Sequence, residues 1–379
     1  MPAARQFTDA QMHAALEKTG GVQRKAAELL GVTPGAVANR LAQARRGIAP
    51  ESDWTKPVPE GYRVKGVSTL YDGDGQLRAQ WVKSQIDPDA MERVVREALA
   101  AMGERIPRAK ATAGPKRTHE QLLNLYVITD FHLGMLSWHE ETGADWDTAI
   151  AEDMLVRWFE QAIAQAPAAE TGVLAQLGDF LHWDGLDAVT PASKHLLDAD
   201  TRFQKLVRVA IRALRRVIGL LLTKHAKVHL VMAEGNHDPA SSIWLREWFA
   251  VLFEDEPRVT VDLSPDPYYC VEHGKTALFF HHGHKRKPAN VDTVFAAKFR
   301  EVFGRTGHAY AHMGHMHHID QRETNLMVVE QHRTLAAPDA YASRGGWVSG
   351  RDAQVITYHD TRGEVGRVRV SADMVREAA

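Results

Sequence analysis

Leu122-Leu-Asn-Leu-Tyr-Val-Ile-Thr-Asp-Phe-His-Leu-Gly134 is the stretch on which the reading of the fold turns. Its apolar run, Leu122 to Ile128, has the length and the β-branched and aromatic content of a buried parallel strand. The run stops at Asp130, Phe131 and His132. A carboxylate and an imidazole are therefore expected at the carboxyl end of a strand. Open α/β sheets bind ligands along that edge, because the loops leaving the strands there are free to carry polar groups.

Beyond this stretch, strand-like and helical patterns alternate, which predicts an α/β domain with helices packed on its sheets. Strands are expected at Val173 to Leu177, Val228 to Ala233, Ala277 to His281 and His308 to Met313, with closing strands at Asn325 to His332, Gln354 to His359 and Glu364 to Val370. Helices are expected at about Asp147 to Gln165, His195 to Lys224, Ser242 to Phe253 and Val291 to Phe303. A polar cluster follows each of the first five strands: Asp130 and His132; Gly178-Asp179-Phe-Leu-His182; Gly235-Asn236-His237-Asp238; His281-His282-Gly283-His284; and Gly314-His315-Met-His317-His318. Each alone has an ordinary explanation as a turn element, since the chain carries 20 histidines. Five clusters of metal-ligand type, all at strand ends, point to one shared site.

In that order the clusters resemble the five motifs of the calcineurin-like metallophosphoesterase family: Asp-x-His, Gly-Asp, Gly-Asn-His-Asp/Glu, His-Gly and Gly-His-x-His. The resemblance covers residues 125–318, about half the chain. It implies a four-layer fold, two mixed β-sheets packed face to face with helices outside, and a two-metal site at their edge. By the same resemblance Asp130, His132, Asp179 and His317 hold the first ion, while Asn236, His282 and His315 hold the second together with a bridging Asp179. His237 stands over the substrate as general acid. Two divalent ions at such a site clamp a phosphate and make a shared water acidic enough to attack as hydroxide. Mixed N and O donors suit Mn, with Fe, Zn or Co as the other fits, better than Mg or Ca. His281 and His282 point to opposite faces of a strand, so only one reaches the metals, and the family's His-Gly pattern selects His282. Asp238 is expected to cap the helix that begins at Pro239. His195, His225 and His359 read as surface residues.

Thr129-Asp-Phe-His-Leu-Gly134 with Gly178-Asp-Phe-Leu-His182 looks most like the branch that contains the nuclease of double-strand-break repair. This likeness gives His182 the role of positioning the scissile phosphodiester. The implied activity is hydrolysis of nucleic-acid phosphodiesters. The alternatives are a phosphomonoesterase or small-molecule phosphodiesterase, and a non-catalytic DNA-binding protein. Arg333, Arg344 and Trp347 lie in a loop rich in Gly and Ala that reads first as a packed surface loop, with contact to a nucleotide as the alternative.

The front of the chain is organised differently. Residues 8–46 carry helical patterning with a central turn: Ala26, Ala27 and Leu30 share a face, Gly31 ends the helix, Thr33 suits an N-cap, and Pro34 suits the first position of the next helix. The segment resembles the helix-turn-helix of the Fis-type DNA-binding family. That likeness puts Thr33, Gly35, Ala36, Asn39 and Arg40 against DNA, DNA being favoured over RNA, with Arg45 and Arg46 on phosphates. A hairpin used for self-association, hence a homodimer, is the alternative. Pro50 to Pro59 reads as a linker, Asp72-Gly-Asp-Gly75 as a hairpin turn between two strands, Met91 to Met102 as a short helix, and Arg105 to Arg117 as a basic tether. The expected division is a helix-turn-helix domain at 1–50, a linking segment at 51–117 and the phosphoesterase domain at 118–379.

Composition fits this division. Residues 1–117 hold 19 Lys and Arg against 13 Asp and Glu, whereas the remainder holds 27 against 35. A basic arm for a polyanion joined to an acidic body is one reading of such a split. Cys270 is the only cysteine, which excludes an intrachain disulfide and thiolate zinc sites and suits a reducing cytoplasm. No secretory leader or membrane partner is expected, since the longest apolar block, Val217 to Leu222, is too short to cross a bilayer.

Overall fold

Thr8 opens the first helix, α1 (Asp9–Lys18), with a capping box, its hydroxyl accepting the Gln11 N–H while the Gln11 side chain accepts the Thr8 N–H. The computed structural model describes residues 8–38, 41, 62–72, 77–86 and 108–377. It divides into two units, Met1–Ala90 and Met91–Ala379.

In the first unit, α2 (Gln23–Leu30) ends at Gly31 in the left-handed conformation, and residues 34–38 are helical. Thr33 caps that third segment through Ala36 N at 3.3 Å. Met12, Ala27 and Val37 form the buried centre of the three pieces. A hairpin follows, β1 (Tyr62–Tyr71) antiparallel to β2 (Leu77–Ile86), on either side of the Asp72–Gly75 turn signal. The linker expected at 50–59 and the helix expected at 91–102 lie outside the described residues.

The second unit is built on β3 (His119–Ile128), which contains the opening apolar run. Its residues alternate between two cores: Leu123, Leu125 and Val127 face a second sheet, while Tyr126 and Ile128 face helices. Burial on both faces is why this strand reads as continuously apolar. The short α3 (His139–Thr142) and the long α4 (Thr148–Gln165) follow, α4 capped by Asp147 through Ile150 N. Then come β4 (Ala169–Gln176), α5 (Phe203–Lys224), β5 (Lys227–Met232), α6 (Pro239–Leu252), β6 (Val259–Val261), β7 (Tyr269–His273) and β8 (Thr276–His281). The unit continues with α7 (Asp292–Lys298), α8 (Arg300–Arg305), β9 (His308–Met313), β10 (Asp320–Glu323) and β11 (Val328–Gln331). It closes with α9 (Ala340–Gly345), β12 (Asp352–His359), β13 (Gly363–Ser371) and α10 (Ala372–Glu377).

One sheet has the order β13-β12-β3-β4-β5-β6 and the other β10-β11-β9-β8-β7. Strands β3 to β6 pair in parallel and so do β8, β9 and β11, whereas β7, β10, β12 and β13 join antiparallel. Leu125, Val173, Val231 and Ile356 of the first sheet meet Tyr269, Leu278 and Phe280 of the second. On the outer faces, α4, α5 and α6 cover the six-stranded sheet, and Val291 and Phe295 cover the five-stranded one. The architecture is thus the four-layer α/β sandwich expected, two mixed sheets flanked by helices.

Three expectations need correction. Residues 195–202 are not the start of α5: this stretch lies against the loop after β3, with Leu136 N donating to Asp198 O, Asp200 N donating to Gly134 O, and Asp200 Oδ2 accepting Thr148 N. Residues 108–117 are not a free tether, because Ala109 N donates to Leu252 O and Thr112 donates to Glu256 Oε2 through both N and Oγ1. His225 is fully buried, its Nδ1 donating to Ala169 O at 2.8 Å and its Nε2 accepting from Tyr126 Oη at 2.9 Å.

A polar bridge ties the two sheets together near one edge. Glu330 of β11 accepts from Gln354 of β12 at 2.7 Å and from both terminal nitrogens of Arg367 of β13 at 2.6 and 2.9 Å. Burial opposes ionisation of Glu330, but His332 and Arg367 outweigh it and hold its carboxyl down to about 2. Glu330→Gln leaves Arg367 half-paired, and the expected loss is about 3 kcal/mol, the low end for a buried pair because the Arg367 side chain keeps 23% exposure. The depressed carboxyl contributes stability above its unfolded value and loses it as pH falls through its folded value. The gap between wild type and Glu330→Gln in urea denaturation should therefore narrow from pH 4.5 towards about 2.

Candidate metal centre

The loops leaving β3 and β4 continue the parallel pairing of their strands. Asp130 N donates to Gly178 O, His132 N to Asp179 O and Leu133 N to Phe180 O, at 2.8–3.0 Å. The loops after β8 and β9 are joined likewise by Gly314 N to His282 O. His282 then crosses between the sheets, its Nδ1 2.8 Å from Leu177 O. Five strand ends thus deliver their side chains to one place.

Two triads result, each with ligand atoms within 4.8 Å of one another: Asp130, His132 and His317, and Asp179, His282 and His315. Asn236 joins the second, its Oδ1 3.1 Å from His282 Nε2. His282 Nε2 also lies 3.1 Å from Asp179 Oδ2 and 3.9 Å from Asp130 Oδ1, so the triads are contiguous.

Both carboxylates are presented the same way. Asp130 Oδ2 is anchored by the Thr129 hydroxyl at 2.5 Å and the His315 N–H at 2.8 Å, and Asp179 Oδ1 by the His237 N–H at 2.8 Å. The remaining oxygen of each faces imidazoles. Asp130 Oδ1 is fully buried and accepts no hydrogen bond, 3.2 Å from His317 Nε2. A buried carboxylate oxygen without a donor is costly unless a cation serves it. This orphan atom, set among imidazole nitrogens, fits a divalent metal, and N/O donors of this kind suit Mn, Fe, Zn or Co.

The backbone is strained at the same residues. Among the described residues six non-glycines have positive φ: Lys194, and Asp130, His132, Asp179, His315 and His317, the last five between 46° and 77°. Such conformations cost free energy and persist where the surrounding structure enforces them, as at ligand sites. Gly235 and Gly314 permit the close approach, since a Cβ on the first would collide with the Asp179 carboxylate and one on the second with the Thr129 hydroxyl.

Electrostatics divide the histidines. Burial opposes charge on His282, but Asp179 and Asp130 outweigh it and push its pKa up to about 10. His317 is raised in the same way, against burial, by Asp130. Burial, reinforced by neighbouring imidazoles, drives His132 well below its usual value and His182 down to about 3. The two carboxyls are held low by the same partners, against burial: Asp130 by His317 and His282, Asp179 by His282.

His237 and His182 lie beside the first triad. The His237 ring is half-buried, 4.8 Å from that of His132, and its Nδ1 donates to His182 O at 2.8 Å. His182 is buried, with Nδ1 3.2 Å from His132 Nδ1. His281 turns away from the triads, stacking on Tyr268 and meeting Pro267 O. His284 approaches His282, ring centroids 5.3 Å apart. Of the residues expected on DNA, Thr33 and Gly35 are exposed and Ala36 packs on the helical core, while Asn39, Arg40, Arg45 and Arg46 lie outside the described residues.

Asp238 does not cap α6 with its side chain; Asp184 does, accepting from Ala240 N and Ser241 N. The Asp238 carboxyl instead clamps the Asp179 loop, accepting from Asp179 N, Leu181 N and Gly235 N at 3.0–3.1 Å. Burial and the nearby Asp179 push its pKa up to about 7. Thr129 and Thr334, whose Oγ1 donates to Asp130 O at 2.6 Å, complete a support that the sequence did not disclose.

Residues 5–43 match the sequence profile of the family described as bacterial regulatory protein, Fis family. No curated protein matches the chain. Among solved structures, a predicted phosphoesterase from Streptococcus pneumoniae is similar at 11% identity and TM-score 0.29, over 67% of this chain and 99% of that one. An archaeal phosphodiesterase is similar at 12% identity and TM-score 0.34, over 65% and 99%. A 5'-nucleotidase from Candida albicans is similar at 12% identity and TM-score 0.34, over 72% and 55%.

Protons compete with a metal for His282. Because that imidazole stays protonated through neutral pH, an incoming ion must displace the proton, and manganese affinity should fall roughly tenfold per pH unit between about pH 8 and 6. Isothermal titration at several pH values reads the slope; a flat profile contradicts it. Gly235→Ala should push Asp179 aside and lower stability by about 1–3 kcal/mol, read by thermal unfolding.

Proposed function

We propose that this chain is a dinuclear-metal-dependent phosphodiesterase acting on nucleic acid, DNA rather than RNA. Asp130, His132, His317 and Asp179 would hold one divalent ion, and Asp179, Asn236, His282 and His315 the other, with manganese the best fit. The observation that carries this reading is the orphaned Asp130 Oδ1 among imidazoles at the meeting point of the two triads. Two bound divalent ions would supply charge neutralisation at the phosphoryl oxygens and lower the pKa of attacking water.

The remaining work falls to this chain's own residues. The His182 carbonyl holds a proton of His237 on Nδ1, so the proton given to a departing oxygen would be the second one, carried on Nε2 by the imidazolium. His182 itself is buried against His132, so its influence on the phosphodiester runs through the orientation of that ligand. The domain division proposed is 1–50, 51–117 and 118–379. The front-end match to a DNA-binding regulatory family supports a DNA-contacting role for Thr33, Asn39, Arg40, Arg45 and Arg46. A cytoplasmic location is part of the same proposal. Among the described residues no helix is long and apolar enough to cross a membrane.

The test is incubation with manganese and single-stranded DNA, duplex DNA, RNA, p-nitrophenyl phosphate and its bis ester. Cleavage of polymer and bis ester is expected; turnover of the monoester alone would make the chain a phosphomonoesterase. Metal analysis should find two ions per chain. His237→Ala should keep both ions and lose on the order of a hundredfold or more in turnover, as for removal of a general acid. A variant cleaving at the wild-type rate would remove His237 from that role.

A further inference from the structure

An aromatic pair stands exposed at the rim of the candidate metal centre, where nothing in the proposed chemistry uses it. Tyr341 and Trp347, on and just beyond α9, keep 72% and 59% of their surface in solvent. Their ring centroids lie 5.1 Å apart at 63°. Large aromatic groups normally bury this much apolar area, and exposed ones beside a functional site mark contact surfaces.

The pair is held firmly and near the ligands. Thr334, at the start of its loop, donates to Asp130 O, and Pro338 O accepts from the Ser137 hydroxyl at 2.5 Å. Asp339 caps α9 through Ala342 N at 2.7 Å. Ser343 and Arg344 bind Glu141 at 2.7 and 2.9 Å. The indole of Trp347 rests on Gly345, where a Cβ would lie 3.1 Å from the ring. Tyr341 stands two positions beyond the Asp339 cap, on the loop that Thr334 ties to the Asp130 carbonyl. On another side of the site, beside His282 and His284, Lys285, Arg286 and Lys287 are exposed. Cations on one flank and π faces on another match a chain that alternates phosphates with flat bases.

Resting on the phosphodiesterase reading above, we infer that Tyr341 and Trp347 form a stacking platform for an unpaired nucleobase next to the scissile phosphate, which makes single-stranded nucleic acid the substrate. A base within a duplex is already stacked on its neighbours and presents no free face. An apolar protein partner would want a continuous aliphatic groove, whereas this rim offers two aromatic rings flanked by Arg344 and three glycines, Gly345, Gly346 and Gly350.

The test compares a short oligothymidylate with an oligomer of equal length and charge in which every nucleoside is an abasic tetrahydrofuran unit, both hydrolysed by the manganese-loaded full chain. Stacking is worth about 1–3 kcal/mol per base, so the base-bearing oligomer should show a KM lower by about fivefold or more. Trp347→Ala and Tyr341→Ala should bring the two KM values together, and Trp347→Phe should restore the difference. Equal KM values in the wild type, or a difference that survives both alanine variants, overturn the platform and leave the phosphodiesterase reading standing. Hydrolysis of neither oligomer while duplex DNA or the bis ester is cleaved overturns the platform alone, and cleavage of none of them overturns both.

Discussion

Two carboxylates pressed into the interior beside each other, Asp130 at 0% and Asp179 at 2% exposure, are what the second unit has to accommodate. Unpaired charges at such depth would unfold a domain of ordinary stability. Each is made tolerable by donors brought from another part of the chain: Asp130 by the His315 backbone from the second sheet, Asp179 by the His237 backbone from the loop after β5. The carboxylates therefore hold the loops, and the loops hold the two sheets in register. His282, bonded to Leu177 O of the first sheet while leaving the second, closes the same circuit.

Anchoring one oxygen of each carboxylate decides where the other points. This is also why the strain sits where it does. An extended backbone at Asp130, His132, Asp179, His315 and His317 would carry the strand direction onward, whereas positive φ turns the chain back so that neighbouring side chains converge. The cost is distributed over five residues and is held in place by hydrogen bonds between loops, such as His132 N to Asp179 O. A surface loop without those partners would relax.

Much of this was legible in the sequence because strand ends are marked twice, by the end of an apolar run and by the polar residues that follow. Leu122 to Ile128 gave both the strand and its two-sided burial, and the five polar clusters converge as their positions required. What could not be read depends on contacts between residues far apart in sequence. Asp238 looked like a helix cap because Pro239 follows it, yet Asp184, 56 and 57 positions from the amides it caps, does that work and frees Asp238 for the Asp179 loop. His225 looked like a surface residue at a helix end, but a cavity between Tyr126 and Gly172 takes its ring, and only the glycine makes room. The start of α5 was placed too early because residues 195–202 carry no sign that they pair with the loop after β3.

The residues of the site sort themselves by burial, and this sorting gives it a closed side and an open one. Asp130, His132, Asp179, His182 and His282 are buried and form a floor, while Asn236, His237, His315 and His317 are half-buried and form the open side. On the floor, His132 and His182 face each other through their Nδ1 atoms, and Asp130 and Asp179 meet His282 there and, for Asp130, His317 on the open side. Two carboxylates balance at most two positive charges, so a pair of divalent ions would leave the floor net positive. An anion crossing the half-open imidazoles would then meet rising positive potential in a region that solvent screens poorly. His237 lies on that path with Nε2 unencumbered, because its other nitrogen is committed to the His182 carbonyl. The same hydrogen bond that orients the ring thus decides which of its nitrogens is left for a ligand.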